Sequence, residues 1–242
     1  MALIDGLQSY YKADGDALDA HGSDNGTYVP GTYVTGIIGN GFSLDGINDS
    51  VTGVHMLADA TSFTVSAWIN GDSYASASGI YKTSGAGNSP IELVWFSVQS
   101  EKLYLQMRGN SGALVTAGGV TTLTAGTWYH VVATYDSSDE SIEIFVDTVT
   151  AGTNTYTGIS WSNVDEAAIG EITGSSPFEF DGVIDEVGIW NRVLSGAEIT
   201  ELYNSGAGVA YPFSTPTTSS KLKRFNGTAF VEVPQTAFKV NL

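Results

Sequence analysis

The chain has 242 residues, no cysteine, and a formal net charge of -17 from 26 acidic and 9 basic residues. The lack of cysteine excludes disulfide bonds and thiolate metal sites, and the acidic balance is opposite to that of a protein that binds nucleic-acid phosphates. No apolar run approaches the roughly 20 residues of a membrane-spanning helix. With 29 glycines, the composition predicts an all-β protein with many tight turns, no nucleic-acid partner and no membrane insertion.

Alternating apolar residues predict several strands in the first 150 positions. Residues 62–69 and 141–147 alternate strictly, and 102–108 alternates in the manner of a strand with one accessible face. Residues 129–134 are more continuously apolar and indicate a central strand. Such strands form two stacked antiparallel sheets. The residues predicted to fill the core are Phe42, Leu44, Phe63, Val65, Trp68, Trp128, Val131, Ala133, Ile144, Val146, Ile184, Val187 and Ile189.

The segment 180–199 combines a strand with a capped helix. An apolar strand that carries paired carboxylates follows a glycine turn and ends near Trp190. Ser195 precedes Glu198 by three residues, which is the capping-box pattern. The pattern predicts one short helix from Ser195 to Tyr203, which would close one end of the two sheets.

Four segments resemble, in the same order, the laminin-G-like domains of the concanavalin A-like lectin/glucanase superfamily. They are residues 41–49, 63–69, 126–136 and 180–199. The resemblance covers residues 1–213 and implies a two-sheet antiparallel jelly-roll sandwich with one short C-terminal helix. It implies little about activity, because such sandwiches host many unrelated functions.

Calcium is the cofactor that the resemblance implies, as a structural ion. Laminin-G-like domains often hold calcium where the N-terminal region meets the closing strand, and the matching positions are Asp49 and Asp185, together with Asp19 and Asp45. Loops rich in Asp, Asn and Gly supply the carboxylate and carbonyl oxygens that calcium prefers. The alternative is that these residues only form turns and caps.

The residues do not predict an enzyme. Glu179 and Asp181 place two acids on one face of a strand, but the glycosidase pattern would continue with a third acid where this chain has Val183 and Ile184. The three histidines are scattered and form no ligand-spaced pair. His130 lies in an apolar strand and is predicted to be a packed structural residue.

Aromatic side chains outside the strongest core pattern are the candidates for stacking on a sugar ring. They are Tyr74, Tyr81, Trp95, Tyr104 and Trp161. We predict Trp95, Tyr104 and Trp161 as ligand-binding residues, and the alternative for each aromatic is a place in the core.

The composition changes after residue 213. Residues 214–220 are rich in Pro, Thr and Ser and are predicted to form a linker. Residues 221–242 carry 4 of the 9 basic residues and one acid, Glu232. Two apolar stretches flank Asn226-Gly227, a signal for a hairpin with a two-residue turn. We therefore predict a laminin-G-like β-sandwich at 1–213, a linker at 214–220 and a basic β-hairpin at 221–242.

This hairpin resembles short C-terminal β segments of bacteriophage virion and tail proteins. The resemblance implies that the segment attaches the sandwich to other virion proteins. The charge contrast between the two parts of the chain indicates that the basic segment binds an acidic surface. The predicted attachment residues are Lys221, Lys223, Arg224, Phe225 and Phe230.

The patterns favour a non-enzymatic virion protein of a bacteriophage, either a capsid decoration or a tail-associated adhesion protein, with a host surface glycan as a second partner. The N-terminus lacks the pattern of a secretion signal, which fits assembly in a bacterial cytoplasm. The alternative is a calcium-dependent carbohydrate-binding module of a secreted or surface bacterial protein, with an extracellular or cell-surface location. No coiled-coil pattern argues for a trimer, and the sequence leaves homo-oligomerisation open.

Overall fold

The structure is a computed structural model that describes residues 1–29, 31–55, 57, 60–85, 92–108, 114–157, 164–172, 178–213, 223–225 and 230–232. The chain divides into two units, one of which comprises Leu3–Phe213 and the other Ser214–Leu242. No helix in the described part of the chain has the length and apolar character that a membrane crossing requires.

Fifteen strands are described in the first unit. In chain order they are β1 (Leu7–Tyr11), β2 (Thr27–Val29), β3 (Thr32–Thr35), β4 (Asn40–Asp45), β5 (Ser50–Thr52), β6 (Phe63–Gly71), β7 (Ser78–Gly85), β8 (Glu92–Gln99), β9 (Lys102–Arg108), β10 (Leu114–Thr122), β11 (Tyr129–Asp136), β12 (Ser141–Val146), β13 (Val149–Thr155), β14 (Val164–Ile169) and β15 (Asp181–Trp190). Helix α1 (Gly196–Tyr203) and a short 3-10 turn (Asn204–Gly206) follow β15.

The strands form two antiparallel sheets. The eight-stranded sheet has the order β13-β12-β11-β6-β15-β4-β3, and β1 also pairs with β15. The seven-stranded sheet has the order β10-β9-β8-β7-β14-β5-β2. Neighbouring strands are far apart in the chain at several places, as in a jelly roll. The predicted two-sheet antiparallel sandwich with one short C-terminal helix is confirmed.

The main hydrophobic core lies between the two sheets. The eight-stranded sheet contributes Phe42 and Val65, and the seven-stranded sheet contributes Phe96 and Leu105, all with no exposed surface. Twelve of the thirteen predicted core residues are buried. The exception is Trp128, which precedes β11 in a loop and is only half-buried.

A second apolar cluster covers the other face of the eight-stranded sheet. Ile199 and Leu202 of α1 pack with Trp190 of β15 and Val132 of β11. The predicted capping box is present at the start of α1, where Ser195 and Glu198 bond each other's backbone N–H groups. The helix therefore closes over this sheet and leaves the seven-stranded sheet without a helical cover among the described residues.

The second unit contains an antiparallel pair of strands, β16 (Lys223–Phe225) and β17 (Phe230–Glu232). The antiparallel pairing of the predicted hairpin is present, with Phe225 opposite Phe230. The predicted turn at Asn226-Gly227 lies outside the described residues. The predicted linker at 214–220 and Lys221 lie outside the described residues, and the attachment role of Lys223, Arg224, Phe225 and Phe230 stays a prediction.

Candidate functional site

The seven-stranded sheet has a face that points away from the core, and we call this surface over β7 to β10 the outer face. On β9 the residues at odd positions are buried against the core, and those at even positions are half-buried. Because successive side chains in a strand point to opposite faces, the even positions lie on the outer face. They are Lys102, Tyr104, Gln106 and Arg108.

Strand pairing aligns these residues with partners on neighbouring strands. Lys82 of β7 is opposite Trp95 of β8, which is opposite Gln106 of β9, and Gln106 is opposite Thr116 of β10. Since neighbouring strands lie about 4.8 Å apart, this row crosses about 14 Å of the sheet. In the next row, Tyr104 of β9 is diagonal to Trp95, a position within reach of an aromatic ring.

Trp95 lines a shallow depression on the outer face together with Gln106, Arg108 and Leu114. The indole Nε1 of Trp95 is buried and meets no hydrogen-bond acceptor among the described residues. A buried N–H group without an acceptor lowers the stability of the fold.

Two glutamine amides on the outer face are oriented by their neighbours. Gln99 Nε2 donates to Ser97 Oγ at 3.1 Å and to Gln106 Oε1 at 2.7 Å. Gln106 Nε2 in turn lies 3.4 Å from Thr116 Oγ1. This network fixes the direction of the donors and acceptors that the face presents.

The Tyr104 ring lies close over the neighbouring strand. A Cβ atom placed on Gly118 of β10 would approach Tyr104 Cε1 to 2.9 Å. A glycine at this position therefore lets the ring approach the backbone of β10, next to the row that contains Trp95 and Gln106.

A buried ion pair adjoins Trp95. Lys82 is 2% exposed, and its Nζ lies 2.8 Å from Glu171 Oε1 and 3.4 Å from Glu166 Oε1. Glu166 belongs to β14, and Glu171 lies two residues after the end of that strand. Strand β14 pairs with β7 on the side away from β8. A single buried ammonium group thus faces two carboxylates.

Of the aromatic residues predicted to bind a ligand, the structure brings Trp95 and Tyr104 together. Trp161 lies outside the described residues. Tyr74 and Tyr81 belong to the core instead, where the Tyr81 hydroxyl donates to the His55 carbonyl at 2.7 Å. The sequence interpretation missed Gln106 and Arg108 as site residues, although the alternation of 102–108 places them on the same accessible face as Tyr104.

The four carboxylates predicted as calcium ligands do not share one site. Asp19 accepts hydrogen bonds from the backbone N–H groups of Tyr10, His21 and Gly22 on a single oxygen, at 2.8 to 3.0 Å. Asp185 is fully buried and accepts from the Ile38 N–H at 3.1 Å. Backbone donors thus occupy carboxylate oxygens at both positions.

Asp45 and Asp49, in contrast, lie close together. The Asp45 N–H lies 3.2 Å from Asp49 Oδ2, and Asp45 is opposite Asp181 in the pairing of β4 with β15. Burial raises the pKa of Asp49, and the neighbouring Asp45 raises it further. Asp185 lies four residues after Asp181 on β15, which corresponds to about 13 Å along the strand.

Within the described ranges no group of three or more His, Asp or Glu side chains has the geometry to hold a metal ion. The described carboxylates therefore do not fit one calcium site that uses all four predicted residues. Calcium binding by this chain stays a prediction, which a calcium titration followed by the thermal unfolding midpoint would test.

The residues considered for catalysis lie apart from the outer-face row. Glu179 lies two residues before Asp181, at which β15 begins. His130 is packed as predicted, because it is 1% exposed and its Nε2 lies 2.8 Å from Ser66 Oγ. Burial lowers the pKa of His130 to about 3.

Several solved structures share this fold. Domain 4 of an extracellular arabinanase from Geobacillus stearothermophilus, solved in complex with arabinotriose, has a TM-score of 0.67 at 20% identity and covers 81% of this chain and 97% of its own. The binding domain of Paraclostridial Mosquitocidal Protein 1 has a TM-score of 0.66 at 16% identity, covering 84% of this chain and 53% of its own. The receptor-binding domain of botulinum neurotoxin type G has a TM-score of 0.64 at 14% identity, covering 83% and 51%. This chain therefore spans about half of each toxin domain, and at these identities the likeness concerns the fold alone.

No curated protein sequence matches this chain. A laminin-G family model, described as the concanavalin A-like lectin/glucanases superfamily, matches residues 45–200. The match includes β6 to β15 and therefore both sheets of the sandwich. Since it spans more than half of the sequence, the chain belongs to the concanavalin A-like lectin/glucanases superfamily.

Proposed function

We propose that this chain is a non-catalytic carbohydrate-binding protein and that its site is the outer face of the seven-stranded sheet. The observation that carries the proposal is the row in which Trp95 and Gln106 are direct neighbours, with Tyr104 diagonal to Trp95. Carbohydrate recognition needs apolar faces for the sugar ring and a few oriented polar groups for its hydroxyls. Both kinds of group occur here on one rigid surface.

The polar groups of this face are held in place before a ligand arrives. The hydrogen bonds from Gln99 to Gln106 and from Gln106 to Thr116 restrict the amide rotamers. Binding to a preorganised group loses less conformational entropy than binding to a mobile one. The arabinotriose complex of the similar arabinanase domain gives independent support for a sugar ligand on this fold.

We expect Trp95→Ala to weaken binding to any polysaccharide that the chain binds by at least about tenfold, because a stacked aromatic is a typical dominant contact. The measurement is affinity electrophoresis or calorimetry of the full chain against a polysaccharide panel. Trp128→Ala is the matched control, because Trp128 is also half-buried but lies before β11 of the eight-stranded sheet.

Equal loss of binding in the two variants would contradict the proposed location, and a panel with no bound polysaccharide would contradict the function. Release of reducing ends from a bound polysaccharide would contradict the non-catalytic part of the proposal.

We also propose that the chain is attached to a bacteriophage virion. The charge contrast between the acidic sandwich and the basic segment 221–242 supports this proposal. We expect deletion of residues 214–242 to abolish incorporation into purified virus particles while the sandwich still folds, measured by peptide mass spectrometry. Incorporation at the level of the full chain would contradict attachment through this segment. Detection only in the medium or the cell envelope would favour a secreted or surface-bound glycan-binding protein.

A further inference from the structure

Basic side chains are scarce in the first unit, and most of them are neutralised. Lys12, Lys82 and Arg192 each lie within 3.2 Å of a carboxylate oxygen. Lys102 and Arg108 form no ion pair within the described part of the chain. The two basic residues of the first unit that have no ion pair among the described residues therefore belong to the same strand, β9.

Both unpaired cations lie on the outer face, at the two ends of β9. Arg108 lies six positions after Lys102, which corresponds to about 20 Å along the strand. Tyr104 and Gln106 lie between them on the same face, and Arg108 lines the depression with Trp95. The aromatic and amide groups of the proposed glycan site thus lie between two positive charges.

The neighbouring strands add no described charge to this part of the face. On β8 the outward residues after Trp95 are Ser97 and Gln99, and the residues opposite Gln106 and Tyr104 on β10 are Thr116 and Gly118. Glu166 and Glu171 lie beyond β7 and are bound to Lys82. The basic side chains described on this part of the face therefore belong to β9.

We propose that the outer face binds an anionic polysaccharide lying along β9, with its negatively charged groups at Arg108 and Lys102 and its sugar rings on Trp95 and Tyr104. This inference rests on the proposed function and names its ligand class. The planar guanidinium of Arg108 matches the geometry of a carboxylate or sulfate group, which it binds through two parallel hydrogen bonds. The net charge of the protein does not explain such binding, because a chain with a net charge of -17 repels polyanions.

The test compares anionic polymers with neutral polymers of the same backbone. The full chain is titrated with polygalacturonate and alginate beside their carboxyl-reduced forms, and with dextran sulfate beside dextran. We expect at least one anionic polymer to bind at least about tenfold more tightly than its neutral partner, with an affinity that falls as salt rises. The uronate and sulfate arms identify which anion is recognised.

Matched variants assign the charge preference to β9. Lys102→Gln with Arg108→Gln is expected to remove the preference for the anionic polymer over its neutral partner, whereas Lys221→Gln, Lys223→Gln and Arg224→Gln together are expected to keep it. Loss of the preference in the triple variant but not in the double variant would overturn the inference. Equal binding of the anionic and neutral polymers, or binding only of neutral glycans, would overturn it while the proposed function stands. Failure to bind any glycan would instead remove the proposed function.

Discussion

Replacing Glu186 with glutamine is expected to change the pH dependence of the stability of the sandwich. Relative to the original chain, we expect Glu186→Gln to have a similar free energy of unfolding near about pH 4 and one higher by on the order of 3 kcal/mol near about pH 9. The measurement is urea unfolding across this pH range.

The physical reason is burial of a carboxyl group beside other acids. Glu186 is 3% exposed, and burial is the largest cause that raises its pKa, to about 8. The Tyr10 hydroxyl and, more weakly, Lys12 oppose the rise, whereas Asp185 and Asp14 add to it. Burial likewise raises the pKa of Asp185 to about 7.

The sign follows from proton counts in the two states. Between the unfolded pKa of about 4.5 and the folded pKa of about 8, the native chain holds a proton on Glu186 that the unfolded chain has lost. The free energy of unfolding therefore falls as pH rises through this window. Glutamine cannot ionise, so the variant loses this part of the slope.

A matched control is Glu201→Gln, because Glu201 is exposed on α1. We expect the stability profile of this control to run parallel to that of the original chain. A Glu186→Gln profile that also runs parallel would show that the buried carboxyl group does not ionise differently in the folded state, and would contradict the prediction.

Lys82→Ala is expected to lower the free energy of unfolding by roughly 3 kcal/mol, because breaking a buried ion pair leaves an uncompensated charge. Lys82 connects two glutamates, and the Glu171 side chain is only 12% exposed. Without the ammonium group, the Glu171 carboxylate is largely desolvated and unpaired. Thermal or urea unfolding at neutral pH measures the loss.

The double variant Lys82→Met with Glu171→Gln separates charge from packing. It keeps a long side chain at position 82 and removes both buried charges, so most of the lost stability should return. A double variant as unstable as Lys82→Ala would contradict the account of the ion pair.

The strand pattern predicted much of the fold and part of the site. The alternation of residues 102–108 placed Tyr104 on an accessible face, and the capping residues Ser195 and Glu198 located the helix. The row itself depends on the register of β8 against β9, which pairs Trp95 with Gln106. A shift of the strand register by one residue would turn the Trp95 side chain into the core. Because Val94 and Phe96 on either side of Trp95 are also apolar, the hydrophobic pattern does not decide which of these residues faces the core.

Long-range partners explain what the sequence did not predict. Lys82 is neutralised by acids more than 80 positions away, so no local pattern marks it as buried. Asp19 and Asp185 belong to motifs compatible with calcium, but backbone N–H groups bind the same carboxylate oxygens. Residue type alone does not distinguish a metal ligand from a turn-forming carboxylate.

The most direct test of the central claim is to map the bound glycan by NMR on the isotope-labelled full chain, titrated with fragments of each polysaccharide in the panel. We expect the largest changes in backbone amide shifts at Trp95, Tyr104 and Gln106 and along β8 to β10. Changes confined to the eight-stranded sheet or to the loops at one end of the sandwich, with β9 unaffected, would contradict binding at the outer face.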